Sequence, residues 1–153
     1  MRNIDIAIHF VKATTNILST MAFLSATPGK PFAKKDQESG GDISAIIGVT
    51  GPKKGSIAVL FPTETAEALV RGMLGDSIED LNQDMRDAVG ELANMISGQA
   101  RASLAETGLV LQGSTPSVVC GKGHQIHHIT QATVMVIPFS MTEGSFHVEF
   151  CLE

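Results

Sequence analysis

The chain contains no tryptophan and no tyrosine, and its 7 phenylalanines are scattered along the 153 residues. Aromatic platforms on which bases or sugars stack are therefore poorly supplied. Basic charge is scarce too. There are 11 Lys and Arg against 16 Asp and Glu, for a formal net charge of −5, and the cations cluster no further than Lys34-Lys35 and Lys53-Lys54. Nucleic-acid binding needs a concentrated cationic surface to displace counterions, so that partner class is excluded. Only Cys120 and Cys151 are present and they share no local motif, which reads as two reduced thiols, at or near the core, rather than a disulfide framework. Long apolar runs are missing as well: Met1-Arg2-Asn3-Ile4-Asp5 opens a chain whose short apolar stretches are repeatedly broken by polar groups. Neither a signal peptide nor a spanning helix of about 20 apolar residues is expected, and hence no membrane partner and a cytoplasmic location.

What is present is 43% hydrophobic residues, enough to bury one core and too few for two, so residues 1–153 read as a single domain. Asn3 can cap a first helix in which Ile4, Ile8, Val11, Leu18 and Met21 approximate an apolar stripe, closing near Thr27-Pro28-Gly29. The charged, glycine-rich stretch from Phe32 to Asp42 reads as an exposed loop around at most a short strand. Ile43 to Val49 and Ser56 to Phe61, separated by a polar loop, read as a β-hairpin. Pro62-Thr63 opens a second helix with Ala66, Leu69, Val70 and Met73 on one face, ending at Gly75. An acidic linker, Asp76 to Asp80, leads to a third and longest helix from about Asn82 to Thr107. Strands follow at Ser117 to Cys120, Thr133 to Ile137 and Ser145 to Cys151, the last two joined by a turn at Thr142-Glu143-Gly144. This order favours an α+β fold, helices packed against a mostly antiparallel sheet, over a doubly wound one. An apolar hairpin strand at a sheet edge must be covered or paired, which points to a homodimer formed by sheet extension or helix packing.

The third helix separates into two faces at about 100° per residue. Met85, Val89, Leu92, Ile96 and Ala100 form the core arc. On the opposite arc, spacings of four, three and four residues align Asp87, Glu91, Asn94 and Gly98. The alignment brings a carboxylate and a carboxamide within reach of each other. Asn94 is a mediocre helix former where Glu, Lys or Gln would serve solubility better. An exposed mid-helix glycine costs roughly 1 kcal/mol relative to alanine, and a common use of that cost is close approach by another chain. Most polar helix faces are merely solvated, but the four residues together set this one apart.

Asp87-x-x-x-Glu91-x-x-Asn94-x-x-x-Gly98, within Met85-Arg86-Asp87-Ala88-Val89-Gly90-Glu91-Leu92-Ala93-Asn94-Met95-Ile96-Ser97-Gly98, resembles the signature of the CheC/CheX/FliY chemotaxis phosphatases. From Ile43 onward the chain looks like a single-motif CheX-like domain. The resemblance implies dephosphorylation of a phosphorylated CheY-like receiver domain. Glu91 would pair with the receiver's active-site lysine, and Asn94 would orient the attacking water. Asp87 and Gly98 would support partner binding, and the partner would bring its own Mg²⁺, leaving this chain without a cofactor or metal of its own. Two-motif relatives carry a second Glu-x-x-Asn early in the chain; here Asn16 has Ala13 three residues before it, which favours the single-motif dimeric version. The alternative reading is a non-catalytic receiver-binding or scaffold module that keeps the stripe without turnover.

Other candidates weigh less. His124, His127 and His128 follow Cys120, but the spacing fits no standard zinc site, and solvated or half-buried histidines are the simpler expectation. His9 and His147 fall within element patterns and read as packed side chains. Ser97 and Ser103 have no histidine at a spacing that would make a nucleophile.

Overall fold

The computed structural model describes residues 1–34, 38–128 and 130–153. Among these the elements run α1 (Asn3–Ala22), β1 (Thr27–Pro28), β2 (Phe32–Lys34), β3 (Glu38–Thr50), β4 (Gly55–Phe61), α2 (Thr63–Leu74), a 3₁₀ turn (Gly75–Ser77), α3 (Leu81–Glu106), β5 (Gln112–Gly113), β6 (Ser117–His127), β7 (Val134–Met141) and β8 (Gly144–Leu152). The strands form one antiparallel sheet in the order β1-β7-β8-β4-β3-β5, with β2 also on β7 and β6 also on β3. This is the expected α+β architecture.

Alternation along the strands decides which sheet face carries the helices. Ile43, Ala45, Ile47 and Val49 of β3, Ile57, Val59 and Phe61 of β4, and Phe146, Val148 and Phe150 of β8 all enter the main core. Their packing partners come from α1, α2 and α3: Phe10 of α1 stacks on Phe150 with ring centroids 5.0 Å apart. Phe146 is stacked between Phe61 at 4.8 Å and Phe139 at 5.0 Å. Each such buried ring or branched side chain contributes about 1.5–3 kcal/mol of transfer free energy, so this face holds the fold together. Where α2 crosses the end of α1, a Cβ at Gly72 would lie 2.0 Å from the carbonyl oxygen of Ala22, so only glycine lets these backbones meet.

Several expectations need correction. The apolar stripe assigned to α1 is only partly its core face: Leu18 is buried and Val11 packs against the core, but Ile4, Ile8 and Met21 are exposed, and Ile6, Ala7, Phe10 and Ala13 are buried in their place. The N-terminal cap is Arg2, whose backbone N–H donates to the Asp5 carboxylate at 3.1 Å, and the helix closes at Phe23 rather than near Pro28. Phe23 adopts φ 56°, a left-handed conformation rare for an aromatic residue. Thr63, which in sequence reads as the N-cap of the second helix, is the first residue of α2 behind a Pro62 cap, with its N–H donating to Asp42 at 2.9 Å. The stretch read as a loop before Asp42 contributes Glu38 to Gly41 to β3, which pairs there with His124 to His127 of an equally lengthened β6. A register break between Gly41 and Ile43 bends β3, and the Asp42 carboxylate there also accepts from the N–H of Gly123 at 2.9 Å. These two backbone donors hold its carboxyl below the usual carboxylate range.

That bend carries part of β6 across the sheet face remote from the helices, where Ile126 packs with Ala58 and Leu60. A buried polar network lies on the same side. The His128 ring is bonded to the Ser56 hydroxyl at 2.7 Å and the Glu149 carboxylate at 3.0 Å; Ser39 donates to Glu149, and Lys34 lies 3.7 Å from it. His128, Ser56 and Glu149 are all buried, so this Ser-His-Glu chain meets no substrate and serves as internal structure. His124, read as solvated or half-buried, is half-buried, and His147 is exposed rather than packed. Cys151 is buried, whereas Cys120 is exposed rather than near the core.

Candidate active site

The carboxylate of Asp80 accepts from the N–H of Gln83 at 3.3 Å and starts α3. That residue reads in sequence as part of a solvated linker; its structural work is capping. From there Met85, Ala88, Val89, Leu92, Ala93, Ile96, Ala100 and Leu104 are buried, so α3 is anchored along its whole length by a continuous apolar back. Helix α1 packs beside it through bonds between Asn16 and Gln99 at 3.2 Å and between His9 and Ser103 at 2.6 Å. Helix α2 meets its N-terminal half, where Met73 and Leu74 line a groove with Asp87, Ala88 and Glu91.

The other arc of α3 faces outward. Asp87, Glu91 and Asn94 are exposed. One helical turn separates Glu91 from Asn94, placing their Cβ atoms about 5–6 Å apart. Among the described residues neither side chain has a hydrogen bond or ion pair with the rest of the chain, so a carboxylate and a carboxamide stand together with their polar atoms free for a partner. Asp87 is different: it accepts from the amide of Gln83 at 3.0 Å and is held in place. A Cβ added at Gly98 would meet nothing within 4 Å, so no internal packing calls for a glycine there. Sequence periodicity therefore places Asp87, Glu91 and Asn94 on the exposed arc as the fold does, whereas Gly98, expected to be exposed, is half-buried.

The second motif is missing in space as well as in sequence. Asn16 is exposed on α1, but Ala13, three residues earlier, is buried at 1% exposure and carries no carboxylate. Among the described residues no group of three or more His, Cys, Asp or Glu is placed to hold a metal ion. Nor is any helix among them long and apolar enough to cross a membrane. Sequence reading missed the apolar wall that Met73 and Leu74 raise beside Glu91, because no local pattern in α2 says where its end will dock.

Known proteins resemble this chain in sequence and in fold. The chain is 30% identical over 114 residues to the CheY-P phosphatase CheX of Thermotoga maritima, a match covering 74% of this chain and 72% of that one. A putative chemotaxis protein from Desulfovibrio vulgaris Hildenborough superposes with a TM-score of 0.95 at 58% identity, covering 99% of this chain and 98% of its own. The fold also recurs at 23% identity, with a TM-score of 0.76 and 99% coverage of both chains, in a CheX–CheY–BeF3–Mg2+ complex from Borrelia burgdorferi. Residues 43–140 match the family model of the chemotaxis phosphatase CheX, and with that span comprising most of the chain and containing the whole stripe, the chain belongs to the CheX family.

Proposed function

We propose that this chain hydrolyses the aspartyl phosphate of a phosphorylated CheY-like receiver domain, with Glu91 and Asn94 as the working pair. The observation that carries the reading is their arrangement: adjacent, exposed and without partners of their own among the described residues, on a helix whose back is buried throughout. The Thermotoga relative, named as a CheY-P phosphatase, supports the substrate class.

The chemistry follows from the two functional groups. A lysine in the receiver's active site grips the phosphoryl oxygens; the Glu91 carboxylate pairs with that lysine, which fixes the two proteins' orientation and loosens the grip. The Asn94 carboxamide both accepts and donates, so it can hold a water in line with the acyl phosphate. The water oxygen bonds to phosphorus as the bond to the aspartyl oxygen breaks. The aspartate carboxylate and dihydrogen phosphate result, with both protons of the water carried on the phosphate until they exchange with solvent. Phosphoryl transfer asks little beyond positioning and charge stabilisation. Mg²⁺ belongs to the receiver in this reading, and this chain adds no cofactor of its own. Asp87 and Gly98 shape the contact around the pair, and two copies of the chain assemble through their sheets.

The test is the decay of a receiver phosphorylated with a small-molecule phosphodonor, followed with wild type and Asn94→Ala in parallel. Wild type should accelerate decay, and Asn94→Ala should lose about 100-fold of that acceleration, typical for loss of a positioned reactant, while still binding. Decay equal with and without wild type across all receivers of the organism would refute catalysis and leave a binding module.

A further inference from the structure

Beside the stripe lies a groove of about 250 Å³ lined by Met73, Leu74, Asp84, Asp87, Ala88 and Glu91. It runs between the C-terminal end of α2 and the N-terminal half of α3. Its composition is lopsided. Leu74 is 37% exposed, an apolar side chain left in water beside the half-buried Met73. The α3 wall presents three carboxylates and no basic group. Two of these are fixed from within the chain: Asp84 accepts from the N–H of Glu79 at 3.0 Å, and Asp87 from Gln83 at 3.0 Å. Glu91 belongs to the groove and to the catalytic pair at once, so whatever docks on the pair also covers the groove.

We propose that this groove is the specificity site for the receiver: it takes one apolar side chain of the receiver against Leu74 and Met73, with a neighbouring Lys or Arg of the receiver against Asp87. The proposal rests on the phosphatase reading for the partner's identity, and it assigns the α2 end a role that the signature on α3 does not contain. An apolar floor under an acidic wall rejects an acidic or purely polar surface, because such a surface would be desolvated there without compensation. A receiver surface pairing an apolar side chain with a cation satisfies both. Leu74 and Met73 are positioning residues. They act on docking and leave the water and the acyl phosphate to Asn94.

The experiment titrates each protein against a receiver domain held in its activated form by beryllofluoride and Mg²⁺, and separately measures single-turnover decay at saturating protein. Leu74→Asp should weaken binding about tenfold or more, the cost of losing one buried apolar side chain and adding a repelled charge, and leave the saturated rate within about twofold of wild type. Leu74→Met should bind as wild type does. Asp87→Asn should weaken binding at low salt and flatten its salt dependence. Asn94→Ala should show the reverse pattern, with binding kept and turnover lost. Because Leu74 is exposed, an unchanged melting temperature will confirm that Leu74→Asp is folded. Binding of Leu74→Asp equal to wild type would overturn the groove while leaving catalysis intact. Leu74-dependent binding with no turnover by wild type would overturn catalysis and leave the groove standing. No binding by wild type would overturn both.

Discussion

Gly98 sits in the middle of α3 with open space where its side chain would be, so nothing inside the chain explains it. Alanine there should raise stability in urea by roughly 0.5–1 kcal/mol, because a helix-interior glycine loses more backbone freedom on folding. If the partner's backbone uses that space, the same substitution slows dephosphorylation. Urea denaturation and phosphate release on one preparation of Gly98→Ala separate the two effects, and a variant both more stable and fully active would remove the partner role. The stripe was legible from sequence because residues spaced four, three and four apart share a face whatever else the chain does. His128 was not. Its burial depends on Ser56 and Glu149, 72 and 21 residues away, and no local periodicity encodes such a meeting.

At the level of elements, strong local patterns translated well and weak ones did not. The hairpin of β3 and β4 and the buried face of α2 follow from β-branched runs and helical spacing. Helix α1 misled because it carries large apolar residues on both sides: Ile4 and Ile8 fit a helical spacing but are exposed, whereas Ile6 and Phe10 are buried with Ala7 and Ala13. Ser39-Gly40-Gly41 reads as a loop, and only pairing with β6 makes it strand. Strand β6 in turn has β3 as its neighbour among the described strands, and its 11 residues carry Lys122 as their single Lys, Arg, Asp or Glu. Natural edge strands are usually short or guarded by charge. A two-fold pairing of β6 with a second copy would close this edge, and light scattering on the purified protein should give the mass of two chains. Cys120→Lys, placing a charge in the middle of the edge, should shift the mass toward one chain; an unchanged dimer would move the interface elsewhere.

For the molecule as a whole, the buried network on the helix-remote side of the sheet contributes to the response to acid, alongside the Asp42 carboxylate at the β3 bend. Burial pulls the Glu149 carboxyl upward, but the hydrogen bonds from His128 and Ser39 and the charges of Lys34 and His128 outweigh it, so its pKa lies below the ordinary 4.5. A carboxyl with a depressed pKa in the folded state contributes stability above its unfolded pKa and loses it as pH falls through the folded value. The chain should therefore lose stability as pH drops below about 4.5. Glu149→Gln should be less stable at neutral pH and show a shallower loss, read from urea midpoints across the acid range; parallel curves would clear Glu149 of that role.

The continuous buried back of α3 has a further consequence. Residues 91 and 94 cannot fray without opening the hydrophobic interior, so the geometry they offer is already in place while the protein is alone in solution. The backbone entropy of setting these two positions side by side is spent once, during folding, and only the rotamers of the two exposed side chains are left to be fixed at each encounter. A docking partner then meets a helix surface that needs no backbone rearrangement to receive it.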